Sequence, residues 1–396
     1  MDNIKIVINL ADEITKCDQL NQKMRITNPI SFICIFCLFL ICAIRPLFSQ
    51  TIPVKGVWLT NVASSALDSR ENIRKAVRLC AKSGINNIYV VTWNRARTIY
   101  PSAIMKEKFG VPISERFSGR DPLLEMIEEA HARNIKVHAW FEFGFASSYK
   151  ENGGMILKKF PEWAALNKDG KLVSKNGFEW MNAFNPEVQQ FISSLIKEVV
   201  TNYQVDGIQG DDRLPAVPSE SGYDSYTINL YKSQHNGMVP PSDSKNPEWI
   251  NWRADLLTDY LGKLYKELKI IRPDLIVSMA PSIHPWAKEQ YLQDWPKWMA
   301  LGIVDYVCPQ VYRYNINAYS TTLREQVKLL KECEKEKFFP GVLLQVNGKS
   351  PSGGFLDSMI VENRKNGIKG ECFFFFEGLK KHPEYFKNYK KKTDNQ

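Results

Sequence analysis

Histidine is scarce in this sequence, with five in 396 residues. None of the five sits in an H-E-x-x-H pair or beside cysteines in a metal-ligand spacing. No P-loop glycine pattern occurs, and no serine, histidine and acid follow one another in an order typical of acyl-transfer triads. Zinc hydrolysis, P-loop nucleotide chemistry and serine-triad catalysis therefore lack sequence support, and neither a metal nor a cofactor is expected. Blocks of one charge are also missing. Basic residues outnumber acidic ones by 52 to 43, a net charge of +9, but the two signs are interleaved along the chain. The one local concentration, Lys387 to Lys392, reads as part of a solvated basic tail over 386–396, so no nucleic-acid partner is expected.

Long apolar runs are limited to one, Ile30 to Ile44, preceded by Lys23 and Arg25 and followed by Pro46 and Ser49. About fifteen apolar residues suit a signal-peptide core better than a membrane span. Met24 makes a better start than Met1, because it places a short cationic segment directly before the run. The expectation is a signal over 1–50 with an over-long start, a mature protein without a membrane span, and a site of action outside the cytoplasm, periplasmic or extracellular. An uncleaved anchor in the envelope is the alternative. Lipidation at Cys42 is not favoured, since Ile41 stands where a small residue is wanted. Beyond this run only Cys80, Cys308, Cys333 and Cys372 remain; without C-x-x-C spacing they read as small hydrophobes.

From Val54 onward the pattern alternates strand and helix eight times. Strands are expected at Val54–Asn61, Asn87–Asn94, Lys136–Gly144, Val205–Asp212, Ile276–Ser282, Val304–Tyr312, Phe338–Val346 and Gly370–Gly378. The intervening segments carry helix signals. Asp68 and Glu71 have capping-box spacing before the stripe Ile73, Ala76, Val77 and Cys80. Asp121-Pro122 and Asn185-Pro186 each place a capping side chain before a first-turn proline. Eight such units without a break imply an α/β fold, a single (β/α)8 TIM barrel over 51–385. Two connections are long, those after the third and fourth strands. Both belong to the C-terminal face, where barrel active sites are built. The fourth-strand connection, rich in Pro, Ser, Gly and Tyr, reads as a mobile lid.

Side chains alternate along a strand, so parity predicts which ones face the barrel axis. In strand three His138, Trp140 and Glu142 share the axial parity, with Glu142 at the top. Strand four groups Gly207, Gln209 and Asp211, with Asp212 just above. Strand six offers Cys308, Gln310 and Tyr312, and strand eight groups Phe373, Phe375 and Glu377. The candidate catalytic residues are thus Asp211, Asp212, Glu142 and Glu377. Trp93, Asn94, Arg95, Trp140, Gln310, Tyr312 and Tyr314 are expected to bind substrate. His138, in mid-strand, reads as a hydrogen-bonded core residue. Paired carboxylates among aromatic faces suit glycosidic-bond hydrolysis, which needs one protonated acid and one carboxylate acting as nucleophile or base. With Glu142 as the partner of Asp211 the carboxyls would be close, as in retaining enzymes; with Glu377 they would lie across the barrel, as in inverting ones.

The same stretches carry a resemblance. Lys55 to Asn61 (KGVWLTN), Asp121-Pro122-Leu123, His138 to Phe141 (HAWF), Val205 to Asp212 (VDGIQGDD), Asp294 to Trp298 (DWPKW) and Val304 to Tyr312 (VDYVCPQVY) resemble the family-10-like glycosyl hydrolases, bacterial secreted proteins and lipoproteins. The resemblance spans about Val54 to Leu379. It implies a TIM barrel and, for one branch, action on peptidoglycan glycan strands at the division site. Two positions depart from the commoner family pattern: Arg213 replaces an aromatic after the Asp pair, and Glu142 stands where Asn-Pro is frequent. The expected function is a glycoside hydrolase acting on an extracytoplasmic polysaccharide, peptidoglycan strands first. The alternative is a glycan-binding barrel of the envelope without turnover.

Overall fold

The computed structural model describes residues 53–346 and 348–394. The expected signal segment lies outside the described residues. Eight parallel strands form one sheet: β1 (Lys55–Leu59), β2 (Asn87–Val91), β3 (Lys136–Phe141), β4 (Gly207–Gly210), β5 (Ile276–Met279), β6 (Tyr306–Val307), β7 (Gly341–Leu343) and β8 (Glu371–Phe374). They neighbour one another in the order β6-β5-β4-β3-β2-β1-β8-β7. The remaining gap, between β6 and β7, is bridged by Phe339 N–H donating to Val307 O (2.9 Å) and Gly341 N–H to Pro309 O (2.8 Å). The sheet is therefore a closed ring. Helices follow each strand in turn: α1 (Arg70–Lys82), α2 (Pro122–His131), α3 (Pro186–Asn202), α4 (Pro247–Ile271), α5 (Trp295–Ala300), α6 (Ile316–Val327), α7 (Gly353–Lys365) and α8 (Pro383–Asp394). This is the (β/α)8 architecture that the alternation implied.

Local chemistry explains the helix starts. Asp121 accepts from Leu124 N–H and Asn185 from Glu187 N–H, each just before a proline, so the caps hold the first turn where proline supplies no donor. In α1 the cap is Ser69, not the expected Asp68: the Ser69 side chain accepts from Asn72 N–H. Asp68 instead pairs with Arg116.

Inside the ring the strands pack polar and aromatic groups against one another. Trp58 Nε1 donates to Gln209 Oε1 (2.7 Å), and Gln209 Nε2 donates to Ser278 Oγ (3.1 Å). Tyr89 and Tyr306 share a hydroxyl contact of 2.9 Å. His138 bonds Asn87 Oδ1 (2.8 Å), and burial pushes its pKa down to about 3, which keeps it a neutral core residue. Two glycines make room for these rings. A Cβ on Gly56 would lie 2.5 Å from the Tyr89 ring, and one on Gly207 would lie 2.4 Å from His138 Nδ1.

Strand eight corrects the expected parity. Cys372 and Phe374 face inward, with the Cys372 and Cys308 sulfurs 3.4 Å apart and the Phe374 ring 6.1 Å from Trp58. Phe373 faces outward onto Phe386 and Tyr389 of α8. The stretch expected as a basic tail is likewise the end of this helix. Phe386 and Tyr389 are buried, because aromatics three apart present one face of a helix to the barrel.

Candidate active site

The connection after β3 folds into a three-stranded antiparallel sheet, Ala146–Tyr149, Phe178–Trp180 and Ser174–Lys175. Its Phe178 ring lies 4.6 Å beneath the Arg213 guanidinium, so this excursion backs the cluster of acids at the tops of β3 and β4. The connection after β4 is not a lid. Ser219, Ser221, Thr227 and Tyr231 within it are buried. Arg253, a buried arginine of α4, donates to the carbonyls of Ser219, Ser221 and Ser244 at 2.6–2.7 Å. Gln293 Nε2 holds the start of the same connection through Asp211 O and Pro215 O. Backbone tied at this many points is scaffold.

Arg213 is the hub of the site. Its Nη2 lies 3.1 Å from Asp211 Oδ2 and 3.6 Å from Glu142 Oε1, while Nη1 lies 2.8 Å from Asp212 Oδ1. Nε donates to the Glu142 carbonyl (2.9 Å). Gln310 Nε2 donates to Asp211 Oδ1 (2.8 Å), and Asn94 Nδ2 donates to Glu142 Oε2 (2.5 Å). Because one guanidinium nitrogen contacts both acids, the Asp211 and Glu142 oxygens lie within about 7 Å of each other, the separation range of glycosidase carboxyl pairs.

The electrostatics follow from three carboxylates sharing one guanidinium. Asp211 is only 4% exposed. Its burial, reinforced by the neighbouring charges of Asp212 and Glu142, holds its pKa well above the ordinary aspartate range against the opposing pull of Arg213. Burial likewise raises Glu142, opposed by Arg213 and the Asn94 hydrogen bond. Burial alone would lower Arg213, but the three acids outweigh it and raise its pKa. Tyr312 is pushed up by burial and by the two aspartates, and its ring stacks on Phe374 at 5.0 Å.

Of the residues expected to meet here, Glu142, Asp211, Asp212, Asn94, Gln310 and Tyr312 do. Arg95 is exposed, 5.7 Å over the Tyr149 ring, and adds a weak positive influence on Glu142. Glu377 stands apart: it accepts from Ser64 Oγ (2.6 Å) and pairs with Lys380 (2.7 Å). It lies beyond β8, in the 3-10 helix Phe376–Lys381, where strand parity no longer applies. With it goes the cross-barrel pair that implied inversion. Trp93 is buried against Phe191, with Nε1 donating to Gly144 O, so it is a packing residue. Trp140 is buried against Trp58 under the acids and offers no open face. Tyr314 is exposed on the rim.

Arg213 was absent from the sequence-based set, although its position beside two aspartates and its departure from the family pattern were the available signals. The two departures, Arg213 and Glu142, touch, so the added carboxylate arrives with a matching cation. Trp286 and Tyr291 were also missed. Their rings lie 5.4 Å apart, Trp286 is 43% exposed, and the charge of Asp212 reaches Tyr291, whose pKa burial chiefly raises to about 12. Among the described residues no group of histidine, cysteine and acid side chains could hold a metal ion.

Comparison with known proteins extends this picture. Glycosyl hydrolase DigH of Escherichia coli (strain K12) is 25% identical over 309 residues, 66% of this chain and 65% of that protein. Glycosyl hydrolase YngK of Bacillus subtilis (strain 168) is 21% identical over 377 residues, 83% of this chain and 69% of that protein. The chain thus spans about two thirds of the length of these curated relatives. Among solved structures, the glycoside hydrolase domain of PgaB (BpsB) from Bordetella bronchiseptica superposes with a TM-score of 0.63 at 13% identity, covering 84% of this chain and 97% of that one. An alpha-L-fucosidase from Paenibacillus thiaminolyticus gives 0.62 at 18% identity, covering 87% and 49%. These likenesses establish the shared barrel fold. The sequence model of the glycosyl hydrolase-like 10 family matches residues 53–344, from before β1 to the end of β7, and the chain belongs to that family.

Proposed function

We propose that this protein is a glycoside hydrolase acting on a polysaccharide outside the cytoplasm, with bacterial peptidoglycan glycan strands as the first candidate substrate. The observation that carries the reading is the Glu142, Asp211 and Asp212 cluster around Arg213 at the C-terminal mouth of the barrel. With all three acids ionised, one guanidinium would face three negative charges in a site with little water. Burial and the neighbouring acids raise the pKa of Asp211, which favours it among the three as the proton donor. In this assignment Asp211 protonates the leaving oxygen. Asp212 and Glu142 supply the carboxylate that attacks the anomeric carbon or activates water, and Gln310 and Asn94 fix the carboxyl orientations. The names of the curated relatives and the family support the reaction class. The apolar run Ile30 to Ile44 supports the extracytoplasmic location.

The test is release of reducing ends from purified peptidoglycan strands and other bacterial polysaccharides, with Asp211→Asn as control. Turnover should fall by at least about a hundredfold in the variant, the low end of what a positioned acid contributes. Hydrolysis near the parent rate would remove Asp211 from the mechanism. One observation favours a second reading, a glycan-binding barrel: all three acids are already paired to Arg213, as in a structural ion network. Tight retention of strands without reducing-end release would establish it.

A further inference from the structure

Past Gln310 the chain runs along the rim of the same face. Arg313 Nη1 donates to Tyr312 O (2.7 Å) and Nε donates to Thr322 Oγ1 (3.0 Å), which fixes the guanidinium at the edge of the site. At most about 14 Å of extended chain separates Gln310, the Asp211 partner, from Tyr314. Between this rim and the connection after β7 lies a cavity of about 350 Å³, whose lining includes Arg313, Tyr314, Leu343, Lys349, Ser350 and Phe355. The backbone of Lys349 is held by reciprocal hydrogen bonds with Val346 (2.8 and 2.9 Å).

The cavity has an unbalanced charge. Among the described residues neither Arg313 nor Lys349 forms an ion pair, and Glu325 acts on Arg313 only at longer range. Lys380, which follows β8, is by contrast paired with Glu377. Beside the two unpaired cations stands Tyr314, 71% exposed, an aromatic face of the kind that stacks on a sugar ring. Two cations that lack an acid, converging on a cavity with an open aromatic wall, match a ring that carries its own anion.

We propose that this cavity is a subsite for a carboxylate-bearing sugar, with Tyr314 against the ring and Arg313 and Lys349 on the carboxylate. The proposal rests on the reading of this face as a glycan site and names the feature of the glycan that it selects. Peptide-stripped peptidoglycan strands carry a lactyl carboxylate on every second sugar, so they provide the probe and, after chemical reduction of the carboxyls to alcohols, the matched control.

Calorimetric titration of the full chain carrying Asp211→Asn measures binding without turnover. Native strands should bind at least about tenfold more tightly than carboxyl-reduced strands, with the gap narrowing at high salt. Lys349→Ala combined with Arg313→Gln should abolish the preference while leaving affinity for reduced strands unchanged. A melting curve checks that the variant remains folded, and the reduced-strand comparison stands without it. Equal affinity for both strands, a preference that survives the double substitution, or failure of native strands to bind would each overturn the subsite. The hydrolase reading fails differently. Preferential binding of native strands with no reducing-end release by the parent would sink that reading and leave the subsite in place; cleavage of a neutral polysaccharide without carboxylate preference would do the reverse.

Discussion

The surroundings of Asp211 disfavour its charged form, and this has a measurable sign. In an unfolded chain aspartate titrates near about 3.9. In the fold, burial and the adjoining acids hold Asp211 well above that. Between the two values the folded state keeps a proton that the unfolded state has released, so stability contributed by this group falls as pH rises through the window. Asp211→Asn removes the group that titrates. Differential scanning fluorimetry should find its Tm close to that of the parent near about pH 4 and above it at neutral pH; a uniform loss at every pH would contradict the sign. Arg213 predicts the opposite behaviour. Arg213→Met leaves three buried or half-buried carboxyls without their cation and should cost about 3–5 kcal/mol in urea denaturation. Adding Glu142→Gln relieves one of those charges, and the cycle should return a coupling of about 0.5–3 kcal/mol. A double variant whose loss equals the sum of the two single losses would show that Glu142 and Arg213 do not act as a pair.

The connection after β4 behaves as an element of the scaffold, with Arg253 at its centre. Its guanidinium stacks on Trp249 at 4.3 Å and donates to four backbone carbonyls, those of Trp249, Ser219, Ser221 and Ser244. Burial lowers its pKa to about 9, so it remains charged at neutral pH. Arg253→Met orphans these acceptors at about 1–3 kcal/mol each. Hydrogen exchange should accelerate across residues 214–246, and deleting Pro218 to Asn236 should collapse the Tm. Exchange unchanged in Arg253→Met would revive the lid. Nothing in the sequence distinguishes Arg253 from an ordinary exposed helical arginine. The elements themselves were legible where chemistry is local. Asp121-Pro122 and Asn185-Pro186 mark their helix starts unaided, and strands three and four alternate clearly enough to place Glu142 and Asp211. The inner face of strand eight was not legible, because Cys372 to Phe376 is apolar at every position and alternation assigns no inner face to such a run. Glu377 was misplaced because it lies beyond the strand, in the short helix that follows it. Arg213 was missed for the same reason: parity identifies which way a strand residue points, and Arg213 lies beyond the strand.

At the scale of the whole barrel, the last helix is what satisfies the last strand. Glu371 in β8 is fully buried and accepts from Arg364 Nη1 (2.7 Å) and Asn363 of α7 and from Tyr389 Oη (2.5 Å) of α8. Phe386 and Tyr389 cover Phe373. A chain ending after Leu379 loses both buried aromatics and one donor to Glu371. It should be destabilised by about 3 kcal/mol or more, and a truncation that melts with the parent would show that α8 is dispensable.

Ring closure also sets a clock. Lys55 of β1 pairs with Glu371 of β8, a partner made about three hundred residues later. At a synthesis rate of roughly 5–20 residues per second, the outer edge of β1 waits roughly 15–60 s for its neighbour. Through that interval the nascent chain holds a row of buried-type strands whose β1 edge is open, available to a chaperone or to a neighbouring nascent chain. The barrel becomes a ring only once β8 has been made, so its vulnerability to misassembly is concentrated in the interval before that strand appears.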